Sequence, residues 1–482
     1  MPFPLSDTLL IVPELFLTTA GLVLLIWATA VKKEGERTIA LLSIASLAVT
    51  GLLLAVPAAV AGKLPQAGFG GMLAVDRFSV FFKVLLLAAA AVTILFSLRF
   101  VGVSPYSGGE YYALLLFTTV GMLFMAAGTH LVSIYVALEL MALSQYVLAG
   151  YFKRETKSIE AAAKYFVLGA FSSGVLLYGL SLVYGATGTL GLREVSLATA
   201  AGPRSPLLVV GVLLVACGLF FKIASAPFHV WAPDVYEGAP TPISAFFAVG
   251  PKLAAYAIFA RIFFEGFGPL SGDWSTVVAV SAALTMVVGN VGALMQTNVK
   301  RMLGYSSIGH AGYALLGLLG YGTEYGLWSI LIYLTAYALM NLGAFGLVVL
   351  LEAKGYAGES VDDFNGLWKR NPWAAGAMIV FLLSLAGIPP TAGFVGKYFL
   401  FSSAMNAGWF WLTLLAVLMS VVSLFYYFRI ARAMYLVEGE GELHWREEPA
   451  VAAAIAVCAV GTLLFGVLPQ PLVALAKSCL LP

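Results

Sequence analysis

Apolar runs of about 20 residues, each long enough to cross about 30 Å of hydrocarbon as a helix, follow one another through nearly the whole chain. Lipid offers no hydrogen bonds to the backbone, so only helices or closed β-barrels can span it. A barrel would alternate apolar and polar residues in short strands, and that pattern is absent from the sequence. The expected fold class is therefore an all-α polytopic membrane protein. Composition agrees, because charged residues make up only 10% of the 482 positions, against about 25% in soluble domains. A net charge of +2 gives no reason to expect a nucleic-acid partner. The first apolar run, Leu9 to Val31, is too long for a signal-peptide core and reads as the first span.

Fourteen transmembrane helices are expected, at about 8–31, 38–61, 75–100, 111–129, 131–152, 161–186, 206–231, 242–267, 274–297, 302–321, 326–351, 373–404, 408–436 and 449–474. Charge placement tests this count. Odd-numbered loops hold Lys32, Lys33, Arg37, Arg99, Lys153, Arg154, Lys157, Lys300, Arg301, Lys354, Lys369, Arg370, Arg429, Arg432 and Arg446. Even-numbered loops hold only Lys63, Arg77, Arg193, Arg204 and Arg261. The positive-inside rule then places odd loops in the cytoplasm and both termini outside.

Two spans look broken, one around Pro227 in Ser225-Ala226-Pro227-Phe228-His229 and one around Pro389 and Pro390 in Gly387-Ile388-Pro389-Pro390-Thr391. Proline removes a backbone donor and glycine tolerates unusual dihedrals. Irregular backbone at membrane depth survives only inside protein or beside water, and paired breaks in two halves of a transporter point to its ion path. The expected organisation is a three-helix segment (1–104), a five-helix repeat (105–270), a second five-helix repeat (271–438) and a C-terminal helix (439–482). Five is odd, so consecutive repeats are inverted in the membrane, and each carries one Pro-broken helix.

Charged groups inside these spans narrow the function. Glu139, Lys164, Lys222, Lys252 and Lys397 lie in otherwise apolar helices, where each charge costs roughly 2.5–3.5 kcal/mol on insertion scales. Such a series suits a proton or ion path. If Glu139 and Lys222 pack together they neutralise one another, and separating them favours proton release from the lysine; a static ion pair is the competing reading. Lys252 and Lys397 can each hold and pass on a proton, while snorkelling to the headgroups competes for Lys252 and Lys164. His310, in the polar patch Tyr305-Ser306-Ser307-Ile308-Gly309-His310, and His229 are candidate relays, with a packing role equally open for His229. Asp234 and Glu237 read as solvated helix-end residues. Cys217, Cys458 and Cys479 are widely spaced and read as packing residues, so no metal site and no cofactor site is expected in this chain.

The run Ala226-Pro227-Phe228-His229-Val230-Trp231-Ala232-Pro233-Asp234-Val235-Tyr236-Glu237-Gly238-Ala239-Pro240-Thr241-Pro242 resembles the antiporter-like membrane subunits of respiratory complex I, in its N branch rather than its L and M branches. Gly387-Ile388-Pro389-Pro390-Thr391-Ala392-Gly393-Phe394-Val395-Gly396-Lys397 matches the second broken helix of that family. The resemblance covers the whole chain and implies roles residue by residue. Glu139 corresponds to the acidic partner of Lys222, Lys252 to the connecting lysine, Lys397 to the residue toward the outer exit, and Lys164 to an additional lysine on the input side.

The resemblance implies a non-redox, proton-translocating subunit whose partners are other membrane-arm subunits, including antiporter-like neighbours, together with membrane lipid. NADH, FMN, iron–sulfur clusters and quinone would be bound elsewhere in the complex. Two alternatives stand beside this reading: a subunit of a multisubunit cation/proton antiporter, and a spacer that conducts nothing.

Overall fold

The computed structural model of the chain describes residues 5–30, 35–57, 64–103, 108–201, 205–352, 359–439 and 449–481. Of the charges counted above, Lys32, Lys33, Lys63, Arg204, Lys354 and Arg446 lie outside these residues. Helices dominate: α1 (Leu5–Leu10), α2 (Val12–Ala30), α3 (Glu36–Leu53), α4 (Arg77–Val103), α5 (Gly109–Ala127), α6 (Leu131–Ala149) and α7 (Thr156–Thr187) form the first part. The middle comprises α8 (Leu192–Ala201), α9 (Pro206–Lys222), α10 (Trp231–Gly238), α11 (Thr241–Ala260), α12 (Ser271–Leu294), α13 (Val299–Leu319) and α14 (Gly326–Glu352). The last part holds α15 (Leu367–Arg370), α16 (Pro372–Ala386), α17 (Ala392–Asn406), α18 (Phe410–Leu436), α19 (Pro449–Val467) and α20 (Gln470–Ser478).

Among the described residues, 11 helices are long and apolar enough to cross a membrane, and α9 and α16 are shorter apolar helices. Three local features depart from the sequence reading. A small antiparallel hairpin pairs β1 (Gln66–Gly68) with β2 (Leu73–Val75) in the register Gln66↔Val75 and Gly68↔Leu73. The connection after α7 contains α8, and the final span ends at Val467, with α20 a separate amphipathic helix beyond Pro469. Each feature is too short to produce a readable hydrophobic period.

Burial sorts the helices. α11 and α14 are apolar on every side and are covered on nearly every side, as expected of helices at the centre of a bundle. By contrast α18 and α19 turn most of their surface outward. α12 and α13 pack backbone to backbone, since a Cβ on Gly289 would collide with the main chain at Gly309. Such small-residue contacts let membrane helices approach closely where lipid is as apolar as a leucine.

Both expected breaks are present. The first separates α9 from α10 across Ile223–Val230, and the second separates α16 from α17 across Gly387–Thr391. Each interrupts the chain beside the central helices: α9 packs on α7 and touches α11 and α12, while α17 packs on α14 and α13.

Candidate functional site

A helix leaves its last carbonyls without intrahelical partners, and their partial negative charge attracts cations. At the second break this settles where Lys397 points. Gly387 ends α16 in the left-handed region at φ +87°, and the amides of Gly387 and Ile388 fold back onto the carbonyls of Ser384 (3.0 Å) and Leu383 (2.9 Å). The carbonyls of Leu385 and Ala386 then face Lys397, whose ammonium donates to each at 2.9 Å and to Ser420 Oγ at 2.8 Å. Lys397 is only 3% exposed. Its Nζ also lies 4.9 Å from the ring centre of Tyr313. A cavity of about 560 Å³ opens beside it, lined by Gly387, Tyr398, Asn406, Thr413 and Ser420 among others.

The first break is satisfied differently. The carbonyl of Phe220 accepts from the Ser225 amide (2.8 Å), and that of Phe221 accepts from the Ala224 amide and the Trp231 indole, each at 3.0 Å. Hydroxyls from α12 hold the irregular segment: Thr285 accepts the Ala226 amide at 2.8 Å, and Ser281 donates to the Ala226 carbonyl at 2.9 Å. Lys222, the last residue of α9, is buried, and its ammonium has no hydrogen-bond partner among the described residues. Glu139 is half-buried on α6 and accepts a hydrogen bond from Ser173. It makes no ion pair with Lys222 within 4.0 Å, so the two remain electrostatic neighbours without direct contact.

Between the breaks runs a row of polar groups through the most buried part of the bundle. Lys252, in the middle of α11, donates to both the carbonyl and the hydroxyl of Ser307 at 2.5 Å. Ser307 Oγ contacts the Tyr337 hydroxyl at 2.8 Å, which in turn receives a hydrogen bond from Asn341 (2.5 Å). One turn further along α13, His310 bonds through Nδ1 to Tyr333 (2.6 Å) and through Nε2 to Tyr427 (3.2 Å). The Tyr427 hydroxyl also contacts Ser306 Oγ. His310 lies edge-on to Tyr313, the ring beneath Lys397. Lys252 and Lys397 are thus joined through Ser307, His310 and Tyr313 by hydrogen bonds, one helical turn and ring contacts.

Residues 128–423 match the family described as NADH:quinone oxidoreductase/Mrp antiporter, transmembrane. The chain is 45% identical to NADH-quinone oxidoreductase subunit N of Trichlorobacter lovleyi over 97% of its own length and 96% of that protein's. It is 44% identical to the subunit N of Rhodospirillum rubrum over 88% of this chain and 87% of that one. The chain belongs to the subunit N family. A solved structure of respiratory complex I from Thermus thermophilus with bound aureothin contains a chain of the same fold, at TM-score 0.81 and 33% identity, covering 96% of this chain and 99% of that one. An archaeal membrane-bound sulfane sulfur reductase contains another, at TM-score 0.87 and 27% identity over 98% and 96% of the two chains. The fold alone extends to the Mrp complex of a Dietzia species (TM-score 0.85, 23% identity, 98% and 97% coverage).

Within this subunit N chain the structure brings Lys252, His310 and Lys397 into one row and sets Lys222 and Glu139 at its side. Lys164 lies elsewhere: it is 41% exposed and pairs with Glu160 and Asp234, each at 2.6 Å. Asp234 and Glu237 are not simply solvated. Arg301 bridges them at 2.7 and 2.9 Å, and Lys157 reaches Glu237 at 3.1 Å. His229 stands in the first break, half-buried, and its Nδ1 has no hydrogen-bond partner among the described residues. The described residues contain no cluster of three or more His, Cys, Asp or Glu arranged to hold a metal ion.

Sequence reasoning passed over other buried charges. Lys83 and Glu14 form a 2.5 Å ion pair between α4 and α2, both almost fully buried. Arg261, fully buried at the end of α11, grips Asp76 with two 2.8 Å bonds and Glu265 at 3.0 Å. Lys83 was as visible in its apolar run as Lys252. Glu14, 69 positions earlier, stands in the first apolar run just as plainly, and what the sequence does not show is that the two meet.

Proposed function

We propose that this chain carries protons across the membrane arm of an NADH-quinone oxidoreductase. Glu139 and Lys222 form the control point, Lys252 and His310 the central relay, and Lys397 the outlet. The row of hydrogen-bonded side chains between Lys252 and Lys397 carries this reading. A spacer has no use for two lysines and a histidine lined up at the bundle centre with a third buried lysine beside them, where unpaired charge costs several kcal/mol. Moving one charge across the membrane costs about 2.3 kcal/mol per 100 mV, comparable to the effect of bringing a carboxylate toward or away from a buried ammonium. Lys222, with no hydrogen-bond partner of its own, is the group most sensitive to the approach of Glu139.

In this reading the chain crosses the membrane fourteen times: eleven long helices, the more polar α13, and the two broken pairs α9/α10 and α16/α17. The segments 105–270 and 271–438 are inverted repeats, preceded by 1–104 and followed by 439–482, with both termini on the outer side. Lys164 and His229 take auxiliary parts, Lys164 as one of the ionic contacts at the input end. NADH, FMN, iron–sulfur clusters and quinone are handled by other subunits, and antiporter-like neighbours in the membrane arm are the immediate partners.

The test is proton translocation by the reconstituted complex with Lys222→Ala or Lys397→Ala, assembly being verified separately. Loss of pumping in the assembled variants supports the reading. Wild-type stoichiometry in both would leave the spacer role, and sodium-driven transport by an isolated complex lacking flavin would favour the antiporter. Cysteine labelling of both termini from the outside tests the fourteen-crossing orientation.

A further inference from the structure

A second cavity, of about 580 Å³, lies outside the polar row, between α4, α14, α19 and α20. Its wall is almost entirely apolar, running from Phe81 and Val84 to Val92 on α4, with Leu339 of α14 and Val457 of α19 opposite. One strong charge stands at the rim: Arg77, the first residue of α4, is exposed and belongs to the same lining. Its neighbour Asp76 is committed to Arg261 through both carboxylate oxygens. Arg77 itself makes no hydrogen bond or ion pair among the described residues.

We propose that this groove is a structural phospholipid site, with the phosphate on Arg77 and one acyl chain lying along α4. Three observations favour a lipid over a protein segment. From Arg77 to Val92 the wall runs fifteen residues, about 22 Å at 1.5 Å per residue, somewhat beyond the roughly 15 Å of one leaflet's hydrocarbon. An unpaired guanidinium at the end of an apolar slot complements a ligand with an anionic head and an apolar tail. Thr335, a buried polar residue of the lining, already donates to the Leu331 carbonyl of its own helix at 2.8 Å and asks for no peptide partner. The site has a consequence for transport, because α14 bears Ala338 and Leu342 toward the groove and Tyr333, Tyr337 and Asn341 toward α13. The acyl chain thus backs the helix that holds the relay.

The test uses the intact complex, purified in mild detergent and reconstituted with phosphatidylglycerol carrying a photoactivatable diazirine in its acyl chain. Crosslinks are expected on the α4 peptide between Val84 and Val92 and on the α19 peptide around Val457, surviving detergent exchange. Arg77→Gln lowers them about tenfold, the factor expected for one lost charge-assisted bond. Ala88→Trp, which fills an exposed position of the groove, abolishes them while leaving crosslinks on α18 unchanged. Labelling indifferent to both substitutions means ordinary annular lipid and overturns the proposal. So does a chemical crosslink that joins the groove to another subunit's polypeptide in place of lipid.

Discussion

The two broken helices solve one problem in opposite ways. In each, an apolar helix stops inside the bundle and leaves carbonyls that lipid cannot satisfy. At the second break the backbone turns sharply at Gly387, and the carbonyls of Leu385 and Ala386 are completed by the ammonium of Lys397. At the first break the loop residues and Trp231 complete the carbonyls, the hydroxyls of α12 fix the loop, and Lys222 is left without a hydrogen-bond partner among the described residues. One lysine is built into the architecture, while the other is held beside it. The difference teaches that two buried lysines in similar motifs need not contribute alike to stability, even where both are proposed to serve transport.

The largest expected effect comes from removing the two lysines in turn. Lys397→Ala strands the Leu385 carbonyl and leaves the Ala386 carbonyl only its 3.0 Å bond from Ser420, at about 1–3 kcal/mol for the unsatisfied group, so it should lower the melting temperature of the subunit as well as stop pumping. Lys222→Met should stop pumping while leaving the melting temperature unchanged or higher, because an unpaired buried cation is replaced by an apolar chain of similar length. Thermal unfolding of both variants in the assembled complex separates the cases; equal destabilisation would end the contrast.

Next in size is Thr285→Val, which takes away the hydroxyl that accepts the Ala226 amide. A loss of about 1–3 kcal/mol is expected, with faster hydrogen exchange confined to residues of the first break. Exchange that stays slow there would show that the loop does not depend on α12. The same substitution should leave exchange around Gly387 unchanged.

Backbone geometry gives a smaller, paired prediction. At Gly387 a Cβ would lie 2.8 Å from Cδ of Lys397, and φ is +87°, so Gly387→Ala should cost about 1–2 kcal/mol and displace the lysine. Ala224 holds φ +57° with its Cβ already present, so Ala224→Gly should gain up to about 1 kcal/mol. Denaturant titration of the two variants should move in opposite directions. Smallest of all, Ser420→Ala leaves Lys397 its two carbonyls and should cost about 1 kcal/mol with a modest fall in pumping rate.

The long helices, both breaks and the charged members of the polar row were legible in the sequence, because a charge or a proline stands out against an apolar run. The lateral placement was not. Nothing in the sequence around Ser307 or Tyr337 says that Lys252 rests on one and the hydrogen-bond row continues through the other. Lys164 looked like a member of the buried series, yet it lies near the start of α7, one turn beyond Glu160 on the same face and within reach of Asp234. Its helix begins one turn earlier than the apolar run suggests, which moves the lysine relative to the bundle. Asp234 and Glu237 were misjudged for the converse reason: their partner Arg301 arrives from a helix more than sixty residues later. Pairings across such separations leave no periodic trace in a single chain.

The Glu14–Lys83 pair bears on biogenesis. A ribosome completes α2 long before it makes Lys83, so the carboxylate reaches the insertion machinery without its counter-charge. Glu14 sits in the first turn of α2, where the side chain can wait at the headgroups until α4 is delivered and then be drawn inward. The pair cannot close before α4 is in place, so α2 reaches its ion-paired position only once α4 has been made.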